Sequence, residues 1–348
     1  MTKPTVSFII PAYNAGENIR RCLDSVLAQS QNGFEVLIVN DGSQDDTAGI
    51  CNEYSRKDQR IRLFNKQNGG VSSARNLALN HVSGDYICFI DSDDWIEPDY
   101  LAHIIQNLEP GNALVIFNHH VIAKRRTYIK HAIEDVTYRK DEYSEVFNKL
   151  HFLRNGYVWS KIFSTEIIKK HNIRFDEDIS FAEDLLFNLE YFKHVELVKF
   201  CNYAGYHYVH NNPHSLSVNY HSFKRECNGF ERLKSEMLSV MESNKLDEAA
   251  RIYIYTWLAK FLLRSLQALH RKQSEVPSEA RMQLLSQSHR PEHLRYLQYT
   301  KYLNLQPKIE LSVYLYTKRY LVLYDTYMML LFKGQDLKAR LRRFRSRR

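Results

Sequence analysis

The sequence predicts an α/β fold, a mostly parallel sheet flanked by helices, followed by a helical C-terminal region. Three observations carry this. Strand-like and helix-like segments alternate at roughly 25–30-residue spacing over the first hundred residues, the βαβ pattern of a parallel sheet. Polar clusters stand at the carboxyl ends of those strands: Tyr13-Asn14, Asp41-Gly42-Ser43 and Asp91-Ser92-Asp93-Asp94. From about Ser222 onward the apolar residues recur at helical spacing and β-branched runs become rare.

Each element has its own warrant. Thr5–Ile10 (TVSFII) is an apolar run that reads as a buried strand. Gly16–Gln29 is helical, with Ile19, Cys22, Leu23, Val26 and Leu27 on one face. Phe34–Asn40 is the second strand, and Asp41-Gly42-Ser43 closes it with a turn. Gln44–Arg56 reads as a helix, Ile61–Asn65 as a short strand. Gly69-Gly70 breaks the chain before a helix over Val71–Val82. Tyr86–Ile90 is the fourth strand and Ala113–Asn118 a candidate fifth. Mixed α+β character extends to about residue 215. Phe230–Met241, Ala249–Leu269 and Glu279–Ser286 then read as helices, separated by Pro277, Pro291 and Pro307. The expected organisation is residues 1–218 as the α/β domain, 219–332 as a helical region for acceptor or membrane association, and 333–348 as a polybasic tail.

Composition narrows the function classes. The 348 residues are 44% hydrophobic and 25% charged, which are globular proportions. The five cysteines (Cys22, Cys51, Cys88, Cys201, Cys227) form no paired spacing and suit a reducing compartment. The N-terminal apolar run is too short for a secretory leader, and Tyr320–Phe332, which carries Asp325, is too short to span a bilayer. The net charge of +8 is concentrated: Lys333–Arg348 holds eight basic residues and one acid, and the rest of the chain is close to neutral. A basic pI is therefore a property of the tail, and no nucleic-acid-binding signature accompanies it. The Tyr-rich stretch before the basic run suits an anionic membrane surface. The alternative is a buried last helix with a frayed charged end.

Several clusters are candidates for chemistry. Asp91 and Asp93, at a strand end, can converge on a hard divalent cation, which takes carboxylates together with substrate phosphates. The structural alternative is a solvated turn. Asp41 can accept hydrogen bonds from a base or ribose, or cap the next helix. Gly69–Asn76 lets backbone approach an anion at a helix start, with Arg75 able to form a bidentate fork to phosphate. The alternative for Arg75 is a surface ion pair. Glu183 and Asp184 lie among hydrophobes that can raise a carboxylate pKa and poise it as a base, or else they favour a helix N-terminus. His207, His210 and His214 make a metal site conceivable; the favoured alternative is surface or hydroxyl-contacting histidines, with one as a third metal ligand a lesser option. Neither a dinucleotide fingerprint nor a P-loop is present.

Taken together, SFIIPAYNAGENIRRCLDSVLAQS, FEVLIVNDGSQDDT, NGGVSSARNLAL and GDYICFIDSDDWIEPDYL resemble the family 2 inverting glycosyltransferases of GT-A fold, of bacterial surface-polysaccharide type. The likeness continues more loosely through Val158–Phe163, Glu183-Asp184 and Tyr206–Ser217 and covers about 215 residues. It implies a nucleotide-sugar site built from Pro11, Tyr13, Glu17, Asp41, Arg75, Asp91 and Ser92, with Asp91 and Asp93 as ligands of Mn²⁺ or Mg²⁺. It implies Asp184 as the catalytic base, with Trp159, Lys161, Glu183 and His210 on the acceptor side. The implied reaction moves a sugar from a UDP-linked donor to an oligosaccharide or lipid-linked glycan hydroxyl, at the inner face of the cytoplasmic membrane. A homo-oligomer is left open. Two departures stand out: Asn40 where many relatives have Asp, and Val209-His210 where many have an Arg. A nucleotidyltransferase would be expected to carry a Gly-rich basic loop after strand one, where Pro11-Ala12-Tyr13-Asn14 stands. A non-catalytic adaptor would be expected to lack one of the acids, and all are present.

Overall fold

The computed structural model describes residues 5–109, 111–123, 126–129, 132–179, 181–210, 222–271 and 276–332. Its core begins with four parallel strands. β1 (Val6–Ala12) is buried at every position, as a near-continuous apolar run in a parallel sheet requires. α1 (Ile19–Leu27) packs Ile19, Cys22, Leu23 and Val26 inward, the face set by their spacing. β2 (Phe34–Asn40), α2 (Thr47–Lys57), β3 (Ile61–Asn65), α3 (Val71–Leu79) and β4 (Tyr86–Phe89) complete the alternation. β1 pairs in parallel with β2 and β4, and β2 with β3.

Beyond β4 the sheet is mixed. The elements are β5 (Trp95–Ile96), α4 (Tyr100–Gln106), β6 (Ala113–Ala123), β7 (Arg126–Ile129), β8 (Val136–Arg139), α5 (Tyr143–Asn148), β9 (Lys161–Ser164), α6 (Thr165–Lys170), α7 (Glu183–Phe192) and β10 (Leu197–His210). The strand order is β3-β2-β1-β4-β9-β6-β10-β5, with β7 on β6 and β8 on β10. β9 runs antiparallel to both β4 and β6, while β6 and β10 are parallel. The expected parallel character thus holds for the first half and for β6–β10. β5, β7, β8 and β9 depart from it, each pairing antiparallel with its neighbours.

The contacts divide the chain into two compact units. The first comprises Met1–Asp178, Ala182–Ser215 and Glu242–Leu246; the second comprises Ile179–Phe181, Leu216–Met241 and Asp247–Arg348. The division therefore returns once to the first unit after the expected boundary near 218. The second unit is helical: most of α8 (Phe223–Ser243), then α9 (Glu248–Ala268), α10 (Ser278–Ser288), α11 (Pro291–Leu297), α12 (Pro307–Thr317) and α13 (321–332). The prolines start helices rather than interrupt them. Pro291 and Pro307 are first helical residues, where a missing N–H is harmless, and Pro277 immediately precedes α10. Asp247 caps α9 by accepting from Ala250 N at 2.8 Å. Buried charges here are paired: Glu226 receives two nitrogens of Arg264, at 2.8 and 2.9 Å.

Candidate active site

The parallel strands deliver their carboxyl ends to one rim. Asp41 N donates to Ala12 O at 2.9 Å, joining the ends of β1 and β2. Asn14, in the left-handed region, accepts from Gln44 N and donates its own N–H to Ser43 Oγ, fastening the loop after β1 to the loop after β2. Gly16 N and Thr47 bind Asp45, which reinforces that seam. Pro11 is buried beneath it, Tyr13 is half exposed, and Glu17 is exposed.

Asp41 is buried, and its carboxylate organises the glycine turn. Oδ1 accepts from Lys66 Nζ at 2.7 Å and Gly69 N at 2.9 Å, and Oδ2 accepts from Gly70 N at 2.8 Å. It does not cap α2, which starts at Thr47. Glycine is required here for two reasons. Gly70 has φ +88 and ψ 168, a region essentially closed to other residues. At Gly42, φ is +74, and a Cβ would fall 2.8 Å from Asn68 N.

Arg75, one turn into α3, is buried and joins two distant acids. NH1 donates to Asp184 Oδ1 at 2.6 Å and NH2 to Asp91 Oδ1 at 3.0 Å. Its Nε is buried and has no acceptor among the described residues. The guanidinium lies 5.1 Å from the centre of the Phe175 ring, a residue held by Asn76, whose Oδ1 and Nδ2 bond the Phe175 N and O. Burial opposes the Arg75 charge, but Asp184 and Asp91 outweigh it and hold its pKa above the ordinary value.

At the end of β4 the acidic run splits in two. Asp94 is fully buried, accepting from Tyr206 OH at 2.7 Å and from Val209 N at 2.8 Å, and burial drives its pKa well above the carboxylate range. Tyr206 OH also accepts from Asp91 N at 3.1 Å. Asp94 is thus tied to β10, which leaves Asp91 and Asp93 as the acids at the rim. Asp91 is pushed up to about 6 by burial and by the charges of Asp184 and Asp93, against the opposing pull of Arg75. Its Oδ2 has no protein donor among the described residues. Ser92 is partly buried between them.

Glu183 and Asp184 open α7, where the helix dipole favours acids. Ala182 before them is a non-glycine residue at φ +58, and Ser160 before Lys161 has the same φ. Strain of this kind persists where surrounding structure imposes it, commonly at functional sites. Glu183 is pushed up to about 7 by burial and the neighbouring Asp184. Lys161 is fully buried and donates to Asn155 O and Tyr157 O. Burial pulls it down to about 7, with Asp184 acting against that fall. Trp159 is stacked between Tyr157, with ring centres 3.7 Å apart, and Tyr206, at 4.9 Å. His210 stands exposed at the end of β10, away from the acids' hydrogen bonds, and His207 pairs with Glu97 at 2.6 Å. His214 and the polybasic run lie outside the described residues.

Among the described residues no three His, Cys, Asp or Glu side chains form a ready-made metal cage. The donor set nevertheless suits a hard divalent ion. Asp91 and Asp93 are oxygen donors at the rim, and burial together with the neighbouring acids pushes Asp91 and Glu183 up. Sequence reasoning did not single out Asn76, Asp45, Lys66 or Tyr206. Asp45, Asn76 and Tyr206 fell within quoted motifs and Lys66 did not; the role of each depends on contacts across the fold.

The profile of the family described as glycosyl transferase family 2 matches residues 7–171. The chain is 37% identical over 218 residues to the uncharacterized glycosyltransferase EpsJ of Bacillus subtilis (strain 168), covering 62% of this chain and 63% of EpsJ. It is 31% identical over 255 residues to the putative glycosyltransferase EpsH of the same organism, covering 71% of this chain and 72% of EpsH. The chain therefore spans somewhat less than two thirds of EpsJ and somewhat more of EpsH. Among solved structures, S. aureus TarS 1-349 in complex with UDP-GlcNAc aligns with a TM-score of 0.67 at 21% identity, over 95% of this chain and 92% of that one, and shows a shared fold.

Proposed function

The chain belongs to glycosyl transferase family 2, and from that premise we propose that it transfers a sugar from a nucleoside-diphosphate donor to a glycan hydroxyl, with inversion at the anomeric carbon. The observation that supports this is the bridge from Asp91 through Arg75 to Asp184, two carboxylates and a fixed cation from separate segments meeting at one sheet rim. A UDP-linked donor is in keeping with the UDP-GlcNAc complex of the TarS neighbour. The base and ribose would lie over Pro11, Tyr13, Glu17 and Asp41, with Ser92 beside the diphosphate.

Asp91 and Asp93 would hold Mn²⁺ or Mg²⁺, which supplies neutralisation of the charge on the departing diphosphate. Arg75 would meet the same charge from the protein side. Asp184 accepts the acceptor's hydroxyl proton. The acceptor oxygen then forms its bond to the anomeric carbon as the bond to the diphosphate oxygen breaks on the opposite face. Glu183, Trp159, Lys161 and His210 belong to the acceptor side in this reading, with Lys161 holding the Tyr157 loop rather than touching substrate. Surface-polysaccharide synthesis at the inner face of the cytoplasmic membrane, with residues 333–348 drawn to anionic lipid, completes the proposal.

The test is Asp184→Asn in the full chain, assayed for transfer and for binding of nucleotide sugar in manganese buffer. Donor affinity is expected to stay within a few-fold, and turnover to fall by about 10²–10⁴. Turnover at the unaltered rate would remove Asp184 from the base role.

A further inference from the structure

We propose that the outer face of α13 is a docking surface for an anionic lipid bilayer. α13 is apolar on both sides. Leu321, Tyr324, Met328 and Phe332 are buried, while Val322, Leu323 and Leu330 face outward at 67%, 58% and 66% exposure. The only charged residue between 320 and 332 is Asp325, and it is turned inward, bound by Arg281 at 2.9 and 3.0 Å and by His270 at 2.9 Å. The helix therefore presents no charge to water. The outer face carries one exposed polar residue, Thr326, bonded back to Val322 O; an outward face that is otherwise apolar is normally covered, by protein or by lipid.

The exposed apolar residues are also concentrated along the sequence. Leu311, Tyr314 and Tyr320 lie in the same stretch, and most of the large hydrophobic side chains exposed among the described residues fall between 302 and 330. Half-exposed tyrosines suit the headgroup boundary, since one end of the ring is apolar and the other polar. No described helix is long and apolar enough to cross a membrane.

Charge selects the occupant. The sequence runs directly from α13 into residues 333–348, whose eight Lys and Arg residues are interleaved with Leu337, Leu341 and Phe344 and opposed by one acid, Asp336. An anionic lipid surface satisfies the apolar face and the basic run together. A second copy of the chain would cover the apolar face but leave the basic run without a counter-charge. This inference rests on the membrane reading above and deepens it, because it adds an apolar anchor to an electrostatic one.

The experiment is flotation of the full chain with vesicles of phosphatidylcholine alone or containing phosphatidylglycerol, at low and high salt. The variant is Val322→Ser/Leu323→Ser/Leu330→Ser, with melting temperature and nucleotide binding in solution as controls. The unaltered chain is expected to float with phosphatidylglycerol vesicles and to keep part of that binding at high salt. The triple variant should bind at least about tenfold more weakly and lose the remainder at high salt, with nucleotide binding unchanged. Should the triple variant unfold, Leu323→Gln alone should weaken binding about fivefold. Equal flotation of variant and unaltered chain would overturn the proposal. So would a variant that changes only the oligomeric state in light scattering, since that assigns the face to a second copy. Failure of the unaltered chain to bind nucleotide would count against the glycosyltransferase reading and not against the lipid face.

Discussion

At the scale of the residue, the site depends on a guanidinium fork that no other side chain reproduces. Lysine in place of Arg75 would keep one charge but lose the planar geometry that reaches Asp184 and Asp91 at once. Arg75→Lys is expected to lower turnover by roughly tenfold to a hundredfold, the equivalent of one lost charge-assisted hydrogen bond, and steady-state kinetics would show it. Turnover within twofold of the unaltered chain would show that the bridge is dispensable. Glu183 has a testable pH signature. Its folded pKa, about 7, lies above its ordinary value near 4.5, so the folded chain binds the extra proton between those pH values. That contribution to stability is fully present below about pH 4.5 and is lost as pH rises through about 7. Glu183→Gln should therefore raise the melting temperature of the metal-free protein more at pH 8 than at pH 5. Equal shifts at both would mean that the carboxyl is not held in its neutral form.

At the scale of the element, the glycine turn before α3 couples fold to site, because its two N–H groups are what Asp41 grips. Gly70→Ala meets no steric obstacle, yet its backbone conformation carries a strain of about 1–3 kcal/mol. The expected result is a lower melting temperature together with weaker nucleotide binding. Gly111→Ala, at φ +89 with equally open space before β6, should lower the melting temperature alone. Similar binding losses in both would show that the turn has no special tie to the donor. These elements were also the most legible in the sequence. β2 and β3 match the expected Phe34–Asn40 and Ile61–Asn65, since buried strands bounded by turn residues carry a strong local signal. Helix ends were less so: α1 begins at Ile19 rather than Gly16, because the loop after β1 is spent on hydrogen bonds to Ser43, Asp45 and Thr47. β5 has two residues and β9 four, too short for periodicity to register.

At the scale of the whole molecule, the candidate acids and Arg75 could be named from motifs, but their meeting could not. Asp184 reaches Arg75 across 109 positions, and Tyr206 reaches Asp94 across 112, distances that only the sheet topology closes. The same topology turns Asp94 inward and leaves Asp91 and Asp93 at the rim, a distinction that spacing alone left open. The account therefore stands on one centre assembled from separate segments of the first compact unit. Calorimetric titration of UDP into the full chain addresses that centre most directly, in manganese buffer and in chelator, with Asp93→Asn alongside. The account predicts saturable uptake in manganese that falls at least about tenfold in chelator and in the variant. Uptake that is absent in manganese, or equal under all three conditions, would contradict it.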